Sequence, residues 1–159
     1  MATMKVYLKV DGMAGSCTEK NHKDFSDVVG FIHETTYPYD MREGKGRAEP
    51  EHGPFTVIKE IDKASPMLHE ACAKKKKVNK VDMELWRDKP DGGGSEHYFQ
   101  YTLENCRVVH IKPWMEVGST SGKTSPPHLE EVSFAYQIIK WEHKADKKNT
   151  QFDFQNPTA

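Results

Sequence analysis

The stretch that decides the fold of this chain is Phe55-Thr56-Val57-Ile58-Lys59-Glu60-Ile61-Asp62-Lys63-Ala64-Ser65-Pro66-Met67-Leu68-His69-Glu70-Ala71-Cys72-Ala73. Its first part has the two-residue period of a β-strand, in which alternate side chains point to the same face. Phe55, Val57 and Ile61 share one face, and Lys59 interrupts that face with a charge. The pattern predicts a strand whose apolar face is incomplete.

The second part of the same stretch has the signals of a short helix. Ser65 is predicted to be the N-cap, and Pro66 suits the first helical position, where its missing N–H removes no helical hydrogen bond. Residues at helical spacing form one apolar stripe: Met67, Leu68, Ala71 and Cys72. Four lysines follow at positions 74–77, where cations interact favourably with the negative end of a helix. The stretch therefore predicts a strand that runs directly into a helix.

The composition indicates one domain with an ordinary charged surface. A chain of 159 residues can bury a sizeable core, and we expect residues 1–159 to form a single domain without an appended toxin domain. Charged residues make up 30% of the chain and the net charge is −1, which argues against a general binder of polyanions. The basic run at 74–77 lacks interleaved aromatic residues, so no nucleic-acid partner is expected.

The cysteines and the first residues indicate where the chain folds. Cys17, Cys72 and Cys106 are odd in number and widely spaced, which favours free thiols in a reducing cytoplasm. Residues 1–8 alternate in polarity, which predicts a strand and not a signal peptide. No apolar run approaches the ~18 residues of a spanning helix, so no membrane insertion is expected.

Further strand patterns surround the predicted helix. They lie at residues 4–10, 25–37, 81–86, 98–117 and 130–143, and Phe152 and Phe154 indicate a short last strand. Residues 38–54 are rich in glycine, proline and charge, which is typical of a functional or mobile loop. These patterns predict a mostly β domain with one helix laid against it.

Two segments have part of a known site. The sequence Gly-Ser-Thr-Ser-Gly-Lys-Thr at 118–124 has one residue too few between its glycines for a phosphate-binding loop. Pro126 and Pro127 also block the helix that such a loop requires. His69 and Cys72 could supply at most half of a zinc site.

A third segment contains His22, Asp24 and Asp27, which could form an acid–base cluster, although hydrogen bonding within a loop is the commoner role. None of these segments is a complete catalytic or metal site. We therefore expect a protein that is not an enzyme and that uses no cofactor and no metal.

Three separated segments share a resemblance to one family. They are Lys9-Val10-Asp11-Gly12 with Gly15-Ser16, His22 and Asp27-Val28; the run from Lys59 to Leu68 with Ala71-Cys72; and Glu130-Glu131-Val132-Ser133-Phe134 with Ile138 and Trp141. In this order they resemble motifs of the Hcp family (hemolysin-coregulated protein), the tube subunit of bacterial type VI secretion systems. The resemblance covers nearly the whole chain.

The resemblance implies a phage tail-tube-like fold, namely a two-sheet, β-barrel-like domain with one short α-helix packed alongside. It also implies a homohexameric ring with a wide pore, and rings that stack into a tube. The implied partners are further rings of the same chain, a VgrG-like spike protein, a contractile sheath and effector proteins carried in the lumen. Such a subunit is cytoplasmic before firing and is then secreted to the extracellular space or a target cell without a cleaved signal peptide.

The same resemblance assigns candidate site residues. Ile32 and Glu34 are the candidates for the lumen surface that contacts cargo. Residues 38–54 match a loop that contacts the next ring, and its charged residues are the candidates for ring stacking: Asp40, Arg42, Lys45, Arg47 and Glu49. The residue patterns leave a second hypothesis open, a monomeric β-barrel that binds a small ligand or a metal.

Overall fold

The computed structural model describes residues 4–117 and 126–158. Within these residues the chain forms, in order, β1 (Met4–Val10), β2 (Ser26–Ile32), β3 (Thr35–Thr36), β4 (Tyr39–Asp40), β5 (Lys45–Gly46), β6 (Glu51–His52), β7 (Phe55–Glu60), α1 (Ser65–Ala73), β8 (Lys77–Asp88), β9 (Ser95–Met115), β10 (His128–Ala135), β11 (Ile138–His143) and β12 (Lys148–Asp153). The predicted mostly β, barrel-like fold with a short helix is confirmed.

The described strands include one sheet of eight that closes on itself. Its order is β10-β7-β2-β1-β8-β9-β11-β12, and β10 also pairs with β9. The closure depends on the length of β9, which has 21 residues. Its part from Phe99 to Glu104 pairs with β11, and its part from Arg107 to Met115 pairs with β10. Six strands therefore enclose a barrel, and β11 and β12 extend the sheet beyond it.

One apolar core joins the barrel, the helix and β11. Every barrel strand except β2 supplies an apolar side chain to it with almost no exposure, and its largest members are Leu8, Phe55, Leu68, Met83, Leu103, Phe134 and Ile139. On β2, Val28 and Phe31 are partly buried against this cluster. Burial of one such side chain contributes about 1.5–3 kcal/mol, so this cluster is a principal source of stability.

The helix α1 connects β7 to β8 and packs against β9. Leu68 and Ala71 are buried on its inner face. Met67 and Cys72, which the sequence places in the same apolar stripe, are half-buried. The inner face of the helix is therefore narrower than the sequence predicts.

The start of α1 differs from the prediction. Ser65 is the first residue of the helix, and the N-cap is Ala64, which makes no side-chain cap. The Ser65 hydroxyl accepts the backbone N–H of Asp62 at 3.0 Å and donates to Glu130 of β10 at 2.7 Å. This serine consequently ties the start of the helix to the barrel instead of capping it.

The strand β7 corrects two further expectations. The Lys59 side chain is fully buried, at 0% exposure, although its charge should interrupt an apolar face. It can be buried because Glu130 lies opposite it in the β7–β10 ladder. Ile61, which the alternation places inside, is 47% exposed because β7 ends at Glu60.

The segment 130–143 forms two strands and not the single strand that the sequence predicts. β10 ends at Ala135 and β11 begins at Ile138. The pairing of β10 with β9 also shifts register between Ser133 and Phe134. The bend at Tyr136 and Gln137 allows β10 and β11 to pair with different parts of β9. The predicted last strand is confirmed as β12, which contains Phe152.

Residues 35–52 form a β-ribbon, whereas the sequence predicts a strand that continues to residue 37 and a functional or mobile loop at 38–54. The pair β3–β6 joins its base, and the pair β4–β5 joins its outer part. At the turn, Asp40 Oδ1 accepts the backbone N–H groups of Arg42 at 2.8 Å and Glu43 at 3.2 Å. Gly44 completes the turn with a φ of 66°, a conformation that glycine adopts without strain. This segment is called the ribbon below.

Candidate assembly surfaces

The ribbon exposes large apolar side chains. Tyr37, Tyr39 and Met41 are 55%, 45% and 86% exposed. The rings of Tyr37 and Tyr39 lie 5.9 Å apart and cover each other only in part. The ribbon therefore offers apolar contact area that its own chain leaves uncovered.

The predicted stacking residues have different surroundings in the ribbon. Asp40 is engaged in the turn, and the Lys45 ammonium pairs with Glu43 at 3.1 Å. Arg42, Arg47 and Glu49 are exposed. Neither guanidinium forms an ion pair with any residue in the described part of the chain. Two cations and an acid are thus available to a second molecule.

The predicted lumen residues lie where β2 leads into the ribbon. Ile32 is the last residue of β2 and is 63% exposed. Glu34 lies two residues further on, is also exposed, and accepts the hydroxyl of Thr36 at 3.4 Å. The structure keeps both side chains at the surface, but they do not share one regular strand.

Ile32 belongs to an outer face that crosses four strands. It lies opposite Thr56 of β7, which lies opposite Ser133 of β10, which lies opposite His110 of β9. The hydroxyls of Thr56 and Ser133 are 2.8 Å apart and buried. Val29 of the same strand as Ile32 is 65% exposed. This row therefore runs from an exposed isoleucine on β2, through two buried hydroxyls, to an exposed histidine on β9.

The base of the ribbon is held by a cluster that sequence reasoning missed. The hydroxyl of Tyr136 lies 2.7 Å from His33 Nε2 and 3.0 Å from His52 Nδ1. Burial lowers the pKa of His33, and repulsion from His52, when that ring is also protonated, lowers it further. Burial also lowers the pKa of His52 and raises the pKa of Tyr136 to about 12. All three groups are therefore neutral at pH 7.

A buried ionic network joins the start of α1 to the barrel, and it too escaped the sequence analysis. Lys59 Nζ lies 2.5 Å from Glu130 Oε1 and 2.9 Å from Asp62 Oδ1. Lys59 and Glu130 are both 0% exposed. Ser26 donates to Asp62 Oδ2 at 2.7 Å. The sequence signals that could have revealed the network are a lysine in an apolar strand and two successive glutamates before Val132.

The pKa of the Asp62 carboxyl depends on two opposing effects in this network, burial and hydrogen bonding with a cation. Burial acts to raise its pKa. The hydrogen bonds from Lys59 and Ser26, together with the charge of Lys59, outweigh burial and lower the pKa below its ordinary value. Asp62 also accepts the backbone N–H of Ala64 at 3.0 Å. The network therefore holds an ionised carboxylate where the chain turns from β7 into α1.

The other segments that resemble part of a known site do not form a catalytic or metal-binding site within the described residues. His22 stacks on Tyr7 with ring centroids 3.8 Å apart, whereas Asp24 pairs with Lys63 at 2.9 Å. His69 is exposed, and no group of three or more potential metal ligands occurs in residues 4–117 and 126–158. The glycine-rich segment at 118–124 lies outside the described residues.

The three cysteines and one edge of the main sheet have no covalent or strand partner in the described residues. Cys17, Cys72 and Cys106 are free thiols. The last strand, β12, pairs with β11 and with no other strand that the structure describes. In the described residues, no helix is long and apolar enough to cross a membrane.

Together these features define a closed β-barrel with one flanking helix in its described part, whose exposed elements are a ribbon, a strand edge and an apolar patch. The sequence model described as "Type VI secretion system effector, Hcp" matches residues 7–143. A curated relative, the Major exported protein of Pseudomonas aeruginosa, is 32% identical over 145 residues, which cover 91% of this chain and 84% of the relative. The chain belongs to the Hcp family of type VI secretion systems.

Solved structures agree with this assignment. A mutant Hcp1 protein from E. coli EAEC 042 pathovar is 28% identical with a TM-score of 0.79, and the match covers 95% of this chain and 97% of that one. The secreted protein Hcp3 from Pseudomonas aeruginosa is 26% identical with a TM-score of 0.73, and the match covers 96% and 98% of the two chains.

Proposed function

We propose that this protein is a structural subunit of a type VI secretion tube. In this proposal six copies close into a ring, rings stack into a tube, and effector proteins are carried in the lumen. The subunit waits in the cytoplasm and leaves the cell when the contractile sheath drives the tube and its spike protein outward. Its role is mechanical and needs no catalysis. The name of the related Major exported protein supports export.

The observation that carries this proposal is the exposed ribbon. Large apolar side chains that cluster on one exposed segment mark an interaction surface. Tyr37, Tyr39 and Met41 form such a cluster, and Arg42 and Arg47 add two cations without an acidic partner in the described residues. We therefore propose that the ribbon contacts the next ring through apolar contact and through acidic groups on that ring.

The strand edge supports closure into a ring. An uncovered edge strand presents unpaired N–H and C=O groups and invites pairing with other chains. A head-to-tail ring gives each such edge a neighbour and leaves none free, provided that the rotation per subunit closes the ring. We propose that β12 lies in or near the contact between neighbouring subunits.

The outer face at β2 supports a lumen surface. Ile32 is exposed and lies opposite Thr56, whose hydroxyl is 2.8 Å from that of Ser133, so an apolar side chain and neutral hydroxyls form this part of the face. A surface of this kind can contact many cargo proteins without binding any of them permanently. We propose that Ile32 lines the pore and that Glu34 lies at its rim.

Light scattering after size exclusion, combined with negative-stain microscopy, tests the proposal. We expect a particle of about six times the chain mass of 18.2 kDa, with an annular outline. A particle that keeps the chain mass at every concentration would refute the ring. It would favour the monomeric ligand-binding barrel, for which the surface cavity of about 390 Å³ beside Tyr7, His22 and Trp86 is the candidate site.

A further inference from the structure

We propose that the two histidines at the base of the ribbon act as an acid-sensitive clamp: protonation of His33 and His52 breaks their shared contact with Tyr136 and releases the ribbon from the barrel. The clamp concerns the regulation of the ribbon, so its consequence for stacking rests on the proposed function. The release itself concerns a single subunit and can be measured whether or not rings stack.

The clamp lies where both ends of the ribbon join the barrel. His33 lies between β2 and β3, at the start of the ribbon, and His52 lies in β6, at its end. Tyr136 lies at the bend between β10 and β11, which belongs to the main sheet. One hydroxyl therefore bridges both sides of the ribbon to the barrel, at 2.7 Å and 3.0 Å.

The protonation states determine whether this bridge can form. A neutral imidazole has one nitrogen that accepts a hydrogen bond and one that donates, whereas both nitrogens of an imidazolium donate. At neutral pH, the Tyr136 hydroxyl can donate to one histidine and accept from the other. When both histidines are protonated, neither ring can accept, and the hydroxyl proton loses its partner. The two cations also repel each other across a single oxygen.

Among the residues that the structure describes, neither ring of the clamp forms an ion pair, and both pack against aromatic side chains. His52 stacks on Phe152 with centroids 4.7 Å apart and meets Phe154 at 4.9 Å. His33 stacks on Phe55 with centroids 5.3 Å apart. Aromatic neighbours take the rings out of water, so a charge there is less favourable than in solvent.

The acidic groups of the neighbouring elements are engaged elsewhere or exposed. Glu34, next to His33 in the chain, accepts the hydroxyl of Thr36. Asp153 of β12 accepts the side-chain amide of Gln137 at 3.2 Å. Glu51, next to His52, is exposed to solvent. None of these carboxylates offsets the burial of the rings, which lowers the pKa of both histidines.

The sign of the pH effect follows from these directions. A histidine whose pKa is lower in the closed clamp than in the open one binds its proton more readily in the open state. The clamp is therefore fully closed above the ordinary histidine pKa of 6.5 and loosens as the pH falls below it toward the lower values of the closed state. If rings stack through the ribbon, acid should shorten the stacks while single rings persist.

Hydrogen exchange measured by mass spectrometry tests the clamp in the full chain. Samples are labelled at pH 7.5 and pH 5.5, with labelling times corrected for the intrinsic dependence of exchange on pH. Amides of residues 35–52 should exchange about fivefold faster or more at pH 5.5, the factor expected for the loss of one hydrogen bond. Amides of β1 and β8 should keep their protection. Equal corrected exchange of the ribbon at both pH values would overturn the inference.

Variants separate the clamp from general acid sensitivity. The double variant His33→Gln with His52→Gln removes both titrating groups, and its ribbon should not respond to acid. The variant Tyr136→Phe keeps the ring and removes the hydroxyl, so its ribbon should exchange at pH 7.5 nearly as fast as the wild type does at pH 5.5. His69→Gln replaces an exposed histidine on α1 and should keep the full response.

Failure of the clamp and failure of the role of the ribbon in stacking give different results. An undiminished acid response in the double glutamine variant would overturn the clamp. If that variant does not fold, the clamp would equally be overturned by a wild-type level of ribbon protection in Tyr136→Phe at pH 7.5. A ribbon that opens with acid while microscopy shows stacks of unchanged length would support the clamp and refute the role of the ribbon in stacking.

Discussion

Replacement of Lys59 by methionine should destabilise the subunit strongly. Lys59 and Glu130 are both 0% exposed, and the charged atoms are 2.5 Å apart. Removal of one partner from a buried ion pair costs about 3–5 kcal/mol, because the remaining charge stays buried without compensation. Lys59→Met leaves two carboxylates, those of Glu130 and Asp62, without their cation. We therefore expect a loss of about 3–5 kcal/mol in the free energy of unfolding.

The partner variants show whether the charge is the cause. Glu130→Gln alone keeps the hydrogen bond from Ser65 and leaves Lys59 paired with Asp62, so its cost should be about 1–2 kcal/mol. Adding Glu130→Gln to Lys59→Met removes the orphaned charge, and the double variant should recover about 2 kcal/mol relative to Lys59→Met. Glu130 Oε2 has no hydrogen-bond partner in the described structure, so the amide there displaces no existing bond.

Urea unfolding followed by circular dichroism, at two protein concentrations, measures these values and separates any contribution from assembly. Lys63→Met is the matched control, because Lys63 also pairs with an acid at 2.9 Å but its side chain is 55% exposed. Its cost should stay below about 1 kcal/mol. A cost for Lys59→Met no larger than that of the control, or a double variant no more stable than Lys59→Met, would refute the assignment of the network as a joint of the fold.

Three further predictions concern the surfaces and the thiols. Arg42→Glu combined with Arg47→Glu should shorten stacks of rings in microscopy while light scattering still finds single rings. Ile32→Arg should reduce cargo retained in a pull-down, and its free energy of unfolding should change by less than about 0.5 kcal/mol because the side chain is 63% exposed. Burial raises the pKa of the Cys106 thiol to about 12, so iodoacetamide at pH 8 should label the half-buried Cys72 in the native protein and label Cys106 only after unfolding.

Each of these predictions has a contrary result. Lys23→Glu with Lys89→Glu changes the charge equally at exposed positions outside the ribbon, and stacks shortened as much by this control would remove the argument for the two arginines. Ile61→Arg replaces another exposed isoleucine, and an equal loss of cargo there would show a nonspecific effect. Unfolding of the Ile32 variant would place that residue in the core. Equal native labelling of both cysteines would show that the barrel opens readily.

Local patterns were sufficient to predict most of the elements. Alternation in residues 4–10 marked β1, and the strand-to-helix change after Glu60 marked α1, because each pattern reflects a face that the element itself buries. Ile32 is exposed, as are Arg42, Lys45, Arg47 and Glu49, whereas Asp40 is half-buried in the turn; the roles assigned to them stay predictions. What remains a proposal is which surface each of them meets, since a single chain does not contain its partner.

The missed features depend on contacts between distant parts of the chain. Tyr136 meets His33 across 103 positions and His52 across 84. A periodic pattern within a window of ten or twenty residues cannot predict a contact between residues so far apart in the chain. The division of segment 130–143 into two strands has the same origin, because it follows from the length of β9 and from the two partners that β9 takes.

The residues of the buried network belong to the sequence segments that carry the family resemblance. Lys59, Asp62 and Ser65 come from the second matching segment, and Glu130 comes from the third. Residues from two of the three matching segments therefore fix the start of α1 against the barrel, and none of these four residues lies on the ribbon or in β2. A joint of this kind fixes the shape of the subunit and lies beneath its exposed surfaces. This is why the segments that reveal the family predict the fold well and predict the assembly contacts only by analogy.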